Sequence, residues 1–136
     1  MEEYIKYIIA FVIILVLDVL WIYLNFKMYS KNIRNVQKTD LVLNYTYAFA
    51  AYVLVVFASL YIAIPFTKYH LNKNDSITDK LYKSFIYGGS IGLAVYGIYN
   101  FTNLSIFKEY SLKLAIIDSI WGIVLNTFVA FVYTLL

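Results

Sequence analysis

The sequence predicts an all-α integral membrane protein, a four-helix bundle forming one transmembrane domain over residues 1–136. Three observations lead there. Only 14% of the residues are charged, against roughly 25% in an average soluble domain. Mean hydropathy is +0.72. Four stretches are long and apolar enough to cross about 30 Å of hydrocarbon, which takes about 20 helical residues. They lie at about 7–26, 43–66, 84–106 and 114–135 and use nearly the whole chain.

The first stretch is apolar apart from Asp18. It is too long for a signal peptide and no small-residue cleavage site follows Trp21, so it is expected to remain as the first helix. The second stretch carries no charge, and it opens on Asn44, Tyr45, Thr46 and Tyr47. The third is also uncharged, and the fourth contains only Asp118. Between them lie a basic loop (Lys27, Lys31, Arg34, Lys38), a mixed loop (Lys68 to Lys83) and a short one (Lys108, Glu109, Lys113). Loops one and three together hold six Lys/Arg residues, and the N-terminus plus loop two hold five. A difference of one does not decide the orientation under the positive-inside rule; the density of loop one beside the first helix leans toward that side as cytoplasmic.

Several classes are excluded. Zero cysteines remove disulfide scaffolds and thiolate metal sites. His70 is the sole histidine and has no partner at helical spacing, so no metal site and no cofactor are expected. The basic residues are dispersed without the aromatic interleaving of a nucleic-acid interface, so no nucleic-acid partner is expected. No phosphate-binding loop, nucleophile elbow or zinc-protease motif is present.

An aspartate near the centre of a span costs about 2.5–3.5 kcal/mol to insert, which singles out Asp18 and Asp118. Both fall in the half of the membrane next to loops one and three, roughly 13 Å and 7 Å from Lys27 and Lys113 respectively at about 1.5 Å per residue. Each opens an Asp-x-x-Trp unit, Asp18 with Trp21 and Asp118 with Trp121. On a helical wheel the indole stands about 60° from the carboxylate, and the two units can be read as a degenerate inverted repeat. In the third span Gly88, Gly92, Tyr96, Asn100 and Asn103 form one stripe with Tyr99 beside it. Its glycines permit close helix approach and its polar end faces loop three.

These residues resemble the domain-of-unknown-function 2177 family of small predicted membrane proteins. The likeness rests on Leu17-Asp18-x-x-Trp21, on Tyr96-Gly97-x-Tyr99-Asn100-x-Thr102-Asn103 and on Asp118-x-x-Trp121-Gly122, in order along essentially the whole chain. It implies a four-helix fold and functional positions in these motifs. Where the family often carries Asp, this chain has Asn100, an amide in place of a third ionisable group.

The expectation is a polar intramembrane site in one leaflet that binds, and could modify, a small amphiphilic or lipid-like ligand. Asp18 and Asp118 would anchor it, Tyr96, Tyr99, Asn100 and Asn103 would orient it, and Trp21 and Trp121 would wall it. Two other readings stand beside it. One is a proton or cation pathway through a homo-oligomer. The other is a structural accessory protein in which both carboxylates only fix helix register. The partners expected are the bilayer and such a ligand.

Overall fold

The computed structural model describes residues Met1–Leu136 and contains five helices and no strand. Helix α1 spans Glu3–Leu24, α2 Phe26–Gln37 and α3 Tyr45–Tyr69. Helix α4 runs over residues 77–106 and α5 over Leu112–Leu135. Three of them, α1, α3 and α5, are long and apolar enough to cross a membrane. The third expected span lies inside α4, which is not among these three. Asp79, Lys80 and Lys83 begin this helix, and Tyr96, Asn100, Thr102 and Asn103 make its far half polar.

The first loop is not a loop. After Asn25, whose side chain bonds back to the Trp21 carbonyl at 2.9 Å, the chain turns directly into α2. Tyr29, Asn32, Ile33 and Val36 recur at helical spacing and face inward, while Lys27, Lys31 and Arg34 face out. The Asn32 side chain is buried and accepts a bond from the Ser111 backbone N–H at 2.7 Å, tying α2 to the start of α5.

Local chemistry sets the other boundaries. Asn44 caps α3 by accepting from the N–H groups of Thr46 and Tyr47. Within α3 a π-helical turn covers Ala58–Ala63, immediately before Pro65. Proline supplies no N–H and its ring crowds the carbonyl four residues back, so the widened turn absorbs it without breaking the helix. Ser76 and Asp79 form a reciprocal capping box at the start of α4. A second π-helical turn, Ser84–Gly88, follows.

The apolar core joins three helices: Ala10 and Ile14 of α1, Leu60 and Ile64 of α3, and Leu125, Val129 and Tyr133 of α5. Helix α4 packs against α5, backbone to backbone. A Cβ added at Gly92 would lie 1.9 Å from the Gly122 carbonyl oxygen, and one at Gly122 would lie 2.6 Å from the Tyr96 ring. Asn126 accepts from Ser59 Oγ at 2.9 Å, linking α5 to the π turn of α3. At the far end Glu3 accepts from Lys68 Nζ and, at 2.7 Å, from Tyr133 Oη, so α1, α3 and α5 are joined there too. Outside this interior, large apolar side chains such as Phe11, Val16, Phe49, Leu54 and Ile98 are exposed. Such a surface calls for hydrocarbon around it.

Gly92→Ala should separate α4 from α5 and cost about 1–3 kcal/mol or more, as overpacking does, lowering the thermal midpoint in detergent. Gly97→Ala meets only ordinary contacts at 3.5 and 3.9 Å and should leave the midpoint nearly unchanged. Asp75 and Asp79 supply a pH dependence. The Lys83 ammonium at 2.7 Å holds the Asp75 carboxyl below the usual range, and the Ser76 hydroxyl and N–H do the same for Asp79. Their folded-state values lie below the unfolded ones. Their contribution is therefore complete above the ordinary value of about 3.9 and is lost as pH falls through the lower folded value. Hydrogen exchange across residues 70–83 should rise below about pH 4, beyond its intrinsic trend, and Asp75→Asn should remove much of that dependence.

Candidate functional site

On α1, Ala10, Ile14 and Asp18 are buried at intervals of four, so the stripe that builds the core ends on a carboxylate. On α5, Ala115, Asp118, Gly122, Leu125 and Val129 form the matching inward stripe. The two stripes face each other, and both carboxylates are buried between the helices.

Neither carboxylate has a cationic partner. The three ion pairs are Arg34–Asp40, Lys68–Glu3 and Lys83–Asp75. Neutral donors serve instead. Asp18 Oδ1 accepts from Tyr96 Oη at 2.9 Å and from Trp121 Nε1 at 2.8 Å. Asp118 accepts from Tyr29 Oη on one oxygen and from Asn100 Nδ2 at 2.6 Å on the other. The Trp21 Nε1–H donates to Tyr29 Oη at 2.9 Å.

The two Asp-x-x-Trp units therefore exchange donors. Trp121 of α5 serves the carboxylate of α1, and Trp21 of α1 serves that of α5 through Tyr29. The exchange brings the indoles into a parallel stack, centroids 4.5 Å apart at 3°. The rings fill the space between the two units.

Asn100 is fully buried and uses its whole amide. Its Nδ2 group also donates to the Tyr96 carbonyl at 2.8 Å, and its Oδ1 accepts from Tyr110 Oη at 2.8 Å. Burial pushes the Tyr110 phenol up to about 12, so it stays a donor across ordinary pH. Two amide protons are needed here, one for Asp118 and one for the backbone, and a carboxylate could supply neither.

Of the eight residues singled out in the sequence, six meet here: Asp18, Trp21, Tyr96, Asn100, Asp118 and Trp121. Tyr99 does not, being 59% exposed on the outer face of α4. Asn103 stands beside Tyr110 at the end of α4 and is bonded to neither carboxylate. Three tyrosines complete the site without having been singled out: Tyr29, Tyr110 and Tyr52. The Tyr52 hydroxyl neighbours Asp18 from α3. Tyr29 carried a signal, the helical spacing of apolar residues inside a basic segment. Tyr52 carried none that separates it from fourteen other tyrosines.

Both bonds to Asp18 fall on Oδ1, leaving Oδ2 with neither. A groove of about 530 Å³ opens between α1 and α3, with Tyr52, the neighbour of Asp18, among its lining residues. Phe11, Leu15 and Val19 form one wall, and Phe49, Tyr52 and Phe57 contribute to the other; every lining residue is hydrophobic.

A family model described as a predicted membrane protein, DUF2177, matches residues 3–135. No curated protein and no solved structure matches the chain.

Tyr29→Phe would strand two buried groups at once, Trp21 Nε1 and one oxygen of Asp118. The expected cost is about 1–3 kcal/mol, read as a lower thermal midpoint together with altered near-UV circular dichroism of the indole stack. Tyr99→Phe should change neither. Equal effects of the two substitutions would show that the network does not hold the fold.

Proposed function

The chain belongs to the DUF2177 family of predicted membrane proteins, and on that premise we propose that it is a multi-pass protein holding a hydrocarbon-tailed amphiphile in the α1–α3 groove. In this reading α1, α3, α4 and α5 cross the bilayer as a four-helix bundle and α2 lies at one interface. The observation that carries it is the groove itself. It is predominantly apolar, its volume is within the about 300–1,000 Å³ of small-molecule sites, and Tyr52 among its lining residues neighbours the Asp18 carboxylate.

The chemistry divides the roles. An acyl or isoprenyl chain would lie along Phe11, Leu15 and Phe57. Its polar end, a hydroxyl or an amine able to donate a proton, would meet Asp18 Oδ2 and the Tyr52 hydroxyl. Trp21, Tyr96, Asn100, Asp118 and Trp121 would act on the ligand only by holding Asp18 in place. Tyr99 and Asn103 take no part. The role assigned is binding, with no reaction attached.

A second reading is favoured by the completeness of the donor network, in which Asp18 and Asp118 serve helix register alone. For a transport pathway the support is weaker. The apolar cluster of Ala10, Ile14, Leu60, Ile64, Leu125 and Val129 fills the interior between the carboxylates and the Glu3–Lys68 end.

The reading is tested by purifying the protein in mild detergent and identifying retained amphiphiles by mass spectrometry. Tyr52→Phe keeps the shape of the groove and removes one hydrogen bond worth about 1 kcal/mol, so retention should fall about fivefold. Val53→Trp should fill the groove and abolish retention with the thermal midpoint preserved. Wild-type retention in both variants would leave the register reading in its place.

A further inference from the structure

At the α2 end of the molecule, cationic side chains gather on one face. Lys27, Lys31, Arg34 and Lys38 follow at spacings of four, three and four, forming an exposed stripe opposite the inward Tyr29, Asn32 and Ile33. Beneath the stripe, a pocket of about 420 Å³ is lined by Phe26, Ser30, Lys31, Arg34, Asp40 and Leu41. Its two cations stand between two apolar residues. The Ser30 hydroxyl is already committed to the Phe26 carbonyl at 2.8 Å. Asp40 reaches Arg34 at only 3.6 Å, with both side chains mostly exposed at 73% and 83%. A pair of that kind is worth little in water and exchanges readily for a better anion.

The surroundings say where that anion sits. Phe26 and Leu41 share the pocket with the cations, and Val42, 88% exposed, and Leu43 follow directly in the chain. Tyr23 near the end of α1 and Tyr45 and Tyr47 at the start of α3 are exposed, and such residues at helix ends suit the aromatic belt of a headgroup layer. This end sets Lys27, Lys31, Arg34, Lys38, Lys108 and Lys113 against only Asp40 and Glu109. The opposite end nearly balances its lysines with Glu2, Glu3, Asp75 and Asp79.

We propose that this pocket binds the phosphate of an anionic phospholipid, seated between Lys31 and Arg34, with the first chain carbons against Phe26 and Leu41. The Arg34 guanidinium offers two parallel N–H donors to phosphate oxygens, and Lys31 adds a point charge. The lipid source follows from Phe26 and Leu41 in the lining, which a free phosphate would not use. The inference rests on the membrane placement proposed above and is independent of what fills the α1–α3 groove.

The test uses the full chain in detergent, with native mass spectrometry comparing retention of phosphatidylglycerol and phosphatidylcholine. The wild type should prefer phosphatidylglycerol severalfold or more. The double variant Lys31→Ala with Arg34→Ala should reduce phosphatidylglycerol binding about thirtyfold, from about fivefold per charge near the headgroups. Asp40→Asn, which removes the competing carboxylate, should strengthen binding a few-fold, an effect that misfolding cannot imitate. Lys108→Ala with Lys113→Ala should leave the preference in place, and so should Tyr52→Phe. The proposal is overturned if the Lys31/Arg34 variant keeps the preference, or if the Lys108/Lys113 variant loses as much, which would make the effect a diffuse field. It is also overturned if millimolar inorganic phosphate displaces phosphatidylglycerol, which would make the site one for free phosphate.

Discussion

Two carboxylates without a cation are the constraint from which the arrangement follows. A carboxylate removed from water must recover its lost hydration through hydrogen bonds or it destabilises the fold by several kcal/mol. Asp18 and Asp118 have no lysine or arginine to pair with, so neutral donors must come from other helices. Meeting both demands draws in α4 through Tyr96 and Asn100, α2 through Tyr29, and each of α1 and α5 through the other's tryptophan.

That convergence has a steric precondition. Tyr96 must extend from α4 to a carboxylate on α1, and α5 is tightly packed against α4. The phenol reaches because Gly92 and Gly122 let the α4 and α5 backbones touch. Any side chain at either glycine would set α4 back and lengthen the bond to Asp18. Small residues and polar network are thus one device: dispersion between close backbones holds the helices, and the closeness lets short donors reach. The π turn of α3 contributes through Ser59, which donates to Asn126 on α5.

Much of this was readable in the residues. The apolar runs located α1, α3 and α5 within a few positions, and the cost of intramembrane charge marked the two aspartates. The four-residue spacing of Gly92, Tyr96 and Asn100 put the right face of α4 inward. Helix α2 escaped because its charges suggested a loop, although Tyr29, Ile33 and Val36 kept helical period beneath them. The partner of each tryptophan escaped for a different reason. Spacing within one helix places Trp21 beside Asp18, but Nε1 lies at the far edge of a long ring and reaches a neighbouring helix more easily than its own carboxylate. Tyr99 was grouped with Tyr96 because a stripe judged on a wheel is broad. Only the approach of α5 decides which of two adjacent tyrosines turns inward.

The donors to Asp18 lie 78 and 103 residues further along the chain. During synthesis α1 is therefore made long before Tyr96 and Trp121 exist, and its carboxylate waits without them. Tyr96 arrives with α4 and Trp121 only with α5, so the carboxylate gains its two donors one helix at a time. A chain that ends before residue 96 carries this carboxylate with neither of those donors.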